Sequence, residues 1–394
     1  MNNSPPRRGG GGLLEDMNSP KKIGIAAIGD VLDINCWSNI PYYFYKAGNT
    51  AGLFHHPWRL NLNQFKKQRY FWNLRQLLTS GKYGGFQYSE SFLNQAEQSI
   101  DPTLFKTTII SFNQHFPRSS SVVKAGGEIY RYLDATLFDL LKEPSYGFQL
   151  SKETIKKALE LEKHNYHLSK KIVVMANWAK ESLIDFYEVP SEKVSVILPG
   201  ANFELSEHHQ FKPFVPGAGK SRPFILGFIG KDWKRKGLDV VRKLQLELQK
   251  KGYLVVVRII GYAPAEITNA RDVEYKGFID KHNKVEDFIK EVSTCDVGCV
   301  FSKSEALGIS TLEFLRLGVP VAGYSYQGLK DTLIMGASMK FKPNDSFKFI
   351  TENFIDYLEN EDVQSSMYWN TATIRDKMTW ERCILEWKGL FSNG

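Results

Sequence analysis

Short apolar runs alternate with amphipathic stretches along most of the chain, and this pattern predicts strands that alternate with helices. Strands are predicted at 23–28, 107–112, 171–175, 194–198, 224–230, 254–260, 297–301 and 320–323. Helical periodicity is present at 152–168 and at 178–186. Strands alternating with helices are typical of βαβ units, so the sequence predicts an α/β fold built on parallel sheets.

One polar segment divides the strands into two groups. Residues 210–220 contain two prolines and two glycines, which favour a linker. Because 394 residues suffice for two domains, we predict two Rossmann-like domains with a cleft between them. The predicted order is a disordered lead-in at 1–20, an N-terminal domain at 21–210, a linker at 211–222, a C-terminal domain at 223–375 and a terminal helix at 376–394.

The composition is that of an ordinary globular protein, with 42% hydrophobic and 24% charged residues. No run of eighteen apolar residues occurs, which argues against a transmembrane helix. The four cysteines are scattered and form no Cys-x-x-Cys pair, as expected for reduced thiols. We therefore predict a cytoplasmic protein.

The net charge of +8 has its main source in one segment of the N-terminal half. Between Asp33 and Glu90 there is no acidic residue, and the seven basic residues are Lys46, Arg59, Lys66, Lys67, Arg69, Arg75 and Lys82. The aromatic residues interleaved with them are Trp58, Phe65, Tyr70, Phe71 and Trp72. This basic stretch, residues 46–82, is the most asymmetric part of the chain.

The basic stretch allows several interpretations. The residues whose spacings suit one broad helical side are Arg59, Phe65, Lys66, Arg69, Trp72 and Arg75. Such a side predicts peripheral contact with an anionic membrane. Alternatively, Trp58, Phe71 and Trp72 pack inward while the cations are solvated, or the cations attract an acidic acceptor. A non-catalytic nucleic-acid-binding protein is a further alternative, but we expect no nucleic acid because the charge lies mostly in one domain.

Two glutamates, Glu305 and Glu313, flank a glycine turn between a predicted strand and a short apolar helix. Open α/β folds bind ligands at the carboxyl edge of a parallel sheet, where this loop would lie. The helix start offers free backbone N–H groups to a phosphate. Glu313 has an alternative role, because Ser310-x-x-Glu313 is also the pattern of a capping box.

A second element begins where the strand at 224–230 ends in Gly230. Four cations follow before Gly237 opens the next helix: Lys231, Lys234, Arg235 and Lys236. Basic side chains at a strand–helix junction can stabilise a departing diphosphate. The alternative is a solvated basic turn.

Together these two elements resemble the signature of retaining glycosyltransferases of family 4, which have the GT-B fold of two Rossmann-like domains facing each other across a cleft. The resemblance implies that the donor sugar is held by the Glu305 carboxylate and by the backbone amides of Gly308, Ile309 and Ser310. It implies that Glu313 contacts the nucleotide ribose. Lys236 matches the lysine that contacts the pyrophosphate, and Lys231 or Arg235 is its basic partner near Gly230.

The resemblance extends to three further segments of the chain. Ser38 and Asn39 belong to a loop that faces the donor diphosphate in similar enzymes, although Asn39 stands where glycine is usual. Asp134 corresponds to a cleft-edge position that orients the acceptor or the transferring sugar, with a buried or capping aspartate as the alternative. Gly277 and Phe278 correspond to the loop that reads the nucleotide base, where a simple glycine turn is the alternative.

The terminal Thr-Trp-Glu at 379–381 is similar to the start of a last helix that often packs back on the N-terminal domain of such enzymes. The expected activity is metal-independent, retaining transfer of a hexose from a UDP- or GDP-linked sugar to a glycan or lipid-linked glycan. No cofactor is expected, because Asp-x-Asp is absent and the histidine pairs lack further ligands at matching spacing. A nucleotide-sugar epimerase of the same fold is the alternative enzyme, and attachment to the inner face of a membrane is the alternative location.

Overall fold

The structure, a computed structural model, describes residues 22–147 and 149–392. The predicted lead-in at 1–20 lies outside the described residues. Two six-stranded sheets, each entirely parallel, form the centres of the two halves of the chain. This is the α/β architecture that the alternation of strands and helices predicts.

The first sheet has the order β2-β1-β3-β4-β5-β6. Its strands are β1 (Ile23–Ala26), β2 (Phe54–Pro57), β3 (Thr108–Ser111), β4 (Glu128–Leu133), β5 (Lys171–Val174) and β6 (Val194–Val196). The helices of this half are α1 (Ile40–Thr50), α2 (Lys66–Ser80), α3 (Glu90–Gln98), α4 (Ser119–Lys124), α5 (Leu137–Leu141), α6 (Lys152–Leu168) and α7 (Trp178–Asp185).

Two strands of the first sheet were not predicted from the sequence. β2 is short and contains two histidines and a proline, so it lacks an apolar run. In β4 the charged Arg131 interrupts the apolar pattern that would mark a strand. Its side chain is fully buried, and the guanidinium is compensated there by donating to the carbonyls of Asn113, Phe116 and Pro117.

The second sheet has the order β12-β11-β10-β7-β8-β9. Its strands are β7 (Phe224–Gly230), β8 (Val255–Gly261), β9 (Val273–Gly277), β10 (Val297–Val300), β11 (Val321–Tyr324) and β12 (Ser338–Phe341). The helices of this half are α8 (Leu238–Lys250), α9 (Ala265–Thr268), α10 (Val285–Ser293), α11 (Ile309–Arg316), α12 (Leu329–Thr332), α13 (Phe347–Glu359), α14 (Glu361–Ile374) and α15 (Trp380–Ser392).

Each sheet has one point where the strand order reverses. In the first sheet β1 lies between β2 and β3, and in the second β7 lies between β8 and β10. Successive connections leave these strands in opposite directions, which opens a crevice outside their carboxyl ends. The loops at the crevice of the second sheet are 231–237 and 301–308, which contain the two elements that the sequence singles out.

The carboxyl ends of the two sheets meet across a narrow cleft. Trp178, which follows β5, donates its indole N–H to the carbonyl of Ala306 after β10 at 2.6 Å. Asn177 binds the carboxylate of Asp331 through its backbone N–H at 2.9 Å and its side-chain amide at 2.7 Å. Leu307 is buried among core residues of the first half. These contacts hold the two crevices opposite each other.

The last helix returns to the first half of the chain. Trp380 and Trp387 of α15 are buried and pack on Phe44 of α1 with ring-centroid distances of 6.0 and 5.7 Å. Trp387 also contacts Tyr132 in β4 at 5.3 Å. None of the described helices is long and apolar enough to cross a membrane, and the four cysteines are buried and unpaired.

Candidate functional site

The basic loop at 231–236 is held against the end of β10 by two glycines. Gly237 has a φ of +79°, and a Cβ there would lie 2.1 Å from the carbonyl oxygen of Phe301, which only glycine avoids. At Gly230 a Cβ would lie 3.0 Å from Cγ of Lys236. The backbone N–H of Lys303 donates to the carbonyl of Arg235 at 2.8 Å and ties the two loops together.

Glu305, Lys236 and Arg235 form an ion cluster at the crevice of the second sheet. The Lys236 ammonium donates to the Glu305 carboxylate, and Arg235 Nη1 lies 3.5 Å from the same oxygen. Arg235 also donates to the carbonyl of Ser304 at 2.7 Å, and Ser302 Oγ donates to Glu305 at 3.3 Å. The side chains of the cluster are 13–21% exposed, so solvent screens them only weakly.

Electrostatics keep Glu305 ionised in this cluster. Burial alone would raise the pKa of the Glu305 carboxyl, but Lys236 and Arg235 outweigh burial and lower that pKa below its ordinary value. The cluster therefore holds one negative and two positive charges. This excess of one positive charge favours the binding of an anion, such as a diphosphate.

Asp134 faces the ion cluster from the other side of the cleft. It directly follows β4, and burial, with a smaller contribution from the charge of Glu305, raises the pKa of the Asp134 carboxyl to about 7. Tyr146 lies at the same place, with its ring 5.8 Å from the guanidinium carbon of Arg235. A carboxyl of the first half with a raised pKa thus lies across the cleft from the cations of the second half.

Helix α11 begins at a left-handed glycine beside the ion cluster. Gly308 has a φ of +85°, and a Cβ there would lie 2.4 Å from Leu329. No side chain caps this helix end, so the amides of Ile309 and Ser310 lie at an uncapped N-terminus.

The capping-box interpretation of Glu313 is wrong. Gly308 is the N-cap of α11, so Ser310 lies within the first turn and is not the N-cap. The Glu313 carboxylate, whose side chain is 1% exposed, instead accepts from the Lys281 ammonium. Glu313 is therefore a buried acid with a long-range partner, 32 residues away.

Gly277 and Phe278 lie where β9 ends, and the aromatic ring is exposed. Gly277 has a φ of +68°, and Phe278 stacks on Tyr262 with a centroid distance of 5.8 Å and an interplanar angle of 18°. Lys231 Nζ lies 4.5 Å from the centre of the Phe278 ring. Of the two cations that the sequence leaves open as partners of Lys236, Arg235 lies in the ion cluster and Lys231 lies on this aromatic pair.

Ser38 and Asn39 belong to a loop with an unusual backbone. Trp37, Ser38 and Asn39 have φ values of +38°, +57° and +70°, so three successive residues are left-handed. Such conformations cost on the order of 1–3 kcal/mol each for residues other than glycine. Asn39 is nevertheless the N-cap of α1, and its side-chain amide donates to the carbonyl of Ile34. The side-chain amide of Asn202 donates to the carbonyl of Ser38 at 2.7 Å.

The first sheet carries a polar cavity of about 670 Å³ at its own crevice. Its polar and aromatic lining includes Asp30, Asp33, Asn35, Trp37, Arg59, Asn61 and Asn63. A second cavity of about 320 Å³ shares Ile28, Trp37 and Leu62 with the first. Carboxylates, amides and an indole are the groups that bind sugar hydroxyls and sugar faces.

Sequence reasoning missed several of these groups. Tyr262 and Lys281 gave no signal, because each gains its place only through a strand end or a partner distant in the chain. The cavity residues Asp30 and Asn61 lie in two separate loops with no fixed spacing. Within the described ranges, no three His, Cys, Asp or Glu side chains come together as ligands for a metal ion.

Residues 202–374 match the model of the family described as Glycosyl transferases group 1. The second half carries a group 1 glycosyltransferase domain. The matched region contains the ion cluster, Glu313 and the Tyr262–Phe278 pair. No curated protein matches the chain.

Solved glycosyltransferase structures share the whole architecture. Sucrose-phosphate synthase from Thermosynechococcus elongatus is 14% identical, with a TM-score of 0.62 over 95% of this chain and 98% of that one. WaaG, a glycosyltransferase involved in lipopolysaccharide biosynthesis, is 13% identical, with a TM-score of 0.60 over 94% and 100%. HepE from Anabaena, in complex with UDP and glucose, is 13% identical, with a TM-score of 0.55 over 78% and 83%. The predicted GT-B fold is confirmed.

Asp134 is expected to make the free energy of unfolding depend on pH around neutrality. Its carboxyl pKa rises from 3.8 to about 7 on folding, so the folded protein binds this proton more tightly than the unfolded chain. That contribution is complete below the unfolded pKa and is lost as pH rises through the folded value. Asp134→Asn cannot ionise, so it should gain stability over wild type between about pH 4 and pH 7, by at most about 1.4 kcal/mol per pH unit.

Denaturant unfolding of both proteins at several pH values measures this difference. Glu162, a buried carboxyl whose pKa is also raised to about 7, is present in both proteins and cancels from the comparison. A stability difference that stays constant across the range would contradict the raised pKa of Asp134.

Proposed function

We propose that this chain is a retaining glycosyltransferase that moves a hexose from a UDP- or GDP-linked donor to a glycan or lipid-linked glycan. The observation that carries the proposal is the ion cluster of Glu305, Lys236 and Arg235 at the crevice of the second sheet. Two fixed cations at a strand–helix junction are what a diphosphate leaving group requires. The group 1 domain and the UDP and glucose bound to HepE support a nucleotide-sugar donor.

In this proposal the diphosphate binds to the basic loop. Lys236 and Arg235 leave Glu305 for the phosphate oxygens, and the positive charge that they share stabilises the leaving group as the donor bond breaks. Lys231 lies at the edge of this site, where it borders the base. Ser38 and Asn39 face the diphosphate from the opposite domain.

The sugar and nucleoside occupy the rest of the crevice. Glu305, released from its cations, accepts from the sugar hydroxyls, while the amides at 308–310 donate to the sugar. Glu313 accepts from the ribose hydroxyls, and Phe278 with Gly277 borders the base. The dipole at the start of α11 favours the negative charge of the same ligand.

Transfer then needs no side-chain nucleophile. The acceptor hydroxyl approaches on the face from which the diphosphate departs and gives its proton to a departing phosphate oxygen. The bond between the anomeric carbon and the phosphate oxygen breaks as the new glycosidic bond forms, so the anomeric configuration is retained. Asp134 orients the acceptor or the transferring sugar, and the contact of Trp178 with Ala306 keeps the cleft closed to water.

Product analysis tests the class of reaction. Nucleotide sugars are incubated with the protein in the presence and absence of glycan acceptors, and the products are analysed by NMR. A transferase yields an acceptor-dependent glycoside with the donor's anomeric configuration. Conversion of the donor to its epimer without an acceptor would instead establish an epimerase, and an inverted glycoside would exclude the retaining mechanism.

Glu305→Ala and Lys236→Ala should each lower kcat by on the order of a hundredfold or more, which is the scale seen when one preorganised electrostatic group is removed. Lys303→Ala is the matched control. It removes a lysine from the same loop, but its ammonium is exposed and pairs with Asp239 at 3.2 Å, outside the cluster. Steady-state kinetics with thermal melts measures the effect, and wild-type turnover in a folded Glu305→Ala protein would contradict the proposed site.

Glu313→Gln should weaken the binding of a nucleoside diphosphate but leave the binding of pyrophosphate unchanged, because the proposed contact is with the ribose. Isothermal titration with UDP, GDP and pyrophosphate measures this selectivity. Because Glu313 is buried against Lys281, the variant should also melt at a lower temperature. A lower melting temperature with unaltered UDP and GDP affinity would show that Glu313 serves only as the partner of Lys281.

Transfer should proceed without divalent metal, because Lys236 and Arg235 supply the charge that a metal would bring to the diphosphate. Initial rates are compared before and after treatment with excess chelator. The rates should agree within error. A loss of activity that magnesium or manganese restores would contradict this part of the proposal.

A further inference from the structure

Helix α2 directs its apolar residues away from the protein. None of its fifteen residues is buried. Five of them form an outer stripe: Tyr70, Phe71, Leu74, Leu77 and Leu78, with exposed fractions of 66, 66, 43, 52 and 78%. With 3.6 residues per turn, these five positions fall within about 120° of the helix circumference. A contiguous apolar surface of this kind marks an interaction site.

The opposite side of α2 attaches the helix through polar groups. Gln68 donates to the side chain of Gln95 at 3.1 Å, and Trp72 donates its indole N–H to the carbonyl of Gly84 at 2.8 Å. Asn73 accepts from the backbone N–H of Gly84 at 3.1 Å. Surface helices ordinarily turn their apolar side inward, and in α2 this arrangement is reversed.

The helical side inferred from the sequence was therefore wrong. Arg59 and Phe65 precede α2, Phe65 is buried, and Trp72 faces the protein. Of the three aromatic residues that the inward-packing alternative places in the core, Trp58 is buried and Trp72 packs inward, but Phe71 is exposed. The apolar side that faces outward is the stripe of tyrosine, phenylalanine and leucines.

Cations surround the outer stripe. Lys66 and Arg75 flank the stripe on α2, Lys67 lies within it, and Lys82 follows the end of the helix. Arg69 lies on the other side of α2, where it lines a cavity of the first sheet. The salt bridges found within residues 22–147 and 149–392 include none of these five cations, whereas Lys46 pairs with Glu204 and Arg59 with Asp30. The surface therefore combines positive charge that no described salt bridge neutralises with exposed apolar side chains, which complements a layer of anionic lipid headgroups over acyl chains.

Helix α2 also borders a cavity of the first sheet, on the side away from the stripe. Arg69 and Leu62 line the 320 Å³ cavity, which shares Trp37 with the larger polar one. A molecule at this side of the cleft would thus lie beside α2.

We propose that α2 docks on an anionic membrane surface through the outer stripe and four cations beside it: Lys66, Lys67, Arg75 and Lys82. Phe71 and the leucines enter the headgroup region while the cations contact the headgroups. If the proposed transfer reaction is correct, this orientation presents the first sheet's cavities to the glycan of a lipid-linked acceptor. The docking itself does not depend on that reaction, because it needs neither donor nor acceptor.

Co-sedimentation of the full chain with lipid vesicles tests the docking. Vesicles of phosphatidylcholine alone are compared with vesicles in which about a third of the lipid is phosphatidylglycerol, at low and at high salt. The chain should bind the anionic vesicles and should be released from them by salt. Equal, negligible binding to both vesicle types would overturn the proposal.

Three variants locate the surface that binds. Phe71→Ser with Leu78→Ser should lower the partition coefficient at least tenfold. Lys67→Gln with Arg75→Gln should lower it about thirtyfold, since each cation near an anionic surface contributes about fivefold. The control is Leu385→Ser on α15, which removes a similarly exposed leucine (66%) elsewhere and should bind as wild type does.

If a second copy of the chain or a nucleic acid bound the stripe instead of a membrane, other measurements would show it. Concentration-dependent dimers in analytical ultracentrifugation that Phe71→Ser abolishes, without vesicle binding, would assign the stripe to a second copy of the chain and overturn the proposal. Salt-sensitive binding to a single-stranded oligonucleotide, again without vesicle binding, would overturn it in favour of nucleic acid. Because every measurement omits the sugar donor, failure here leaves the proposed transfer reaction untouched.

Discussion

The ionised carboxylate of Glu305 is the constraint from which the candidate site follows. Burying a lone carboxylate costs several kcal/mol or more, so this one is tolerable only with compensating partners. Lys236 and Arg235 provide them, and both come from the loop after a neighbouring strand. That loop can reach β10 only because Gly237 leaves room for the carbonyl of Phe301. The compensation of one buried charge thus depends on a basic loop, on a glycine and on the pairing of β7 with β10.

The same charges explain how a ligand-free site can be stable and still ready for an anion. Two adjacent cations without a counter-ion would repel each other in a weakly screened cleft. Glu305 neutralises one of them and also holds them in place. Under the proposed function a diphosphate takes over this task, so the electrostatic environment is already organised before the donor binds. The carboxylate then becomes available to the sugar, which gives Glu305 two successive roles.

The sequence predicted features that depend on short stretches of chain. An apolar run ending in Gly230, followed by cations and Gly237, defines a strand, a loop and a helix start within one segment, and the structure has these elements. Glu313 shows that a local pattern does not predict a long-range contact. Its local pattern suited a capping box, but its partner is Lys281, which lies on another loop. Local spacing carries no information about a contact that only the folded sheet creates.

The N-terminal half illustrates the same limit more strongly. The apolar residues of α2 have helical periodicity, but periodicity alone does not say which side of a helix meets the protein. That is decided by partners such as Gly84 and Gln95, which bind the polar side of α2. An isolated helix of fifteen residues is only marginally stable in water, and burial of its own apolar stripe does not stabilise α2. The helix therefore relies on a few polar contacts and on the packing of Trp72 against the core beside Phe86. A surface that covers the stripe would add hydrophobic stabilisation that the fold does not supply to those five side chains.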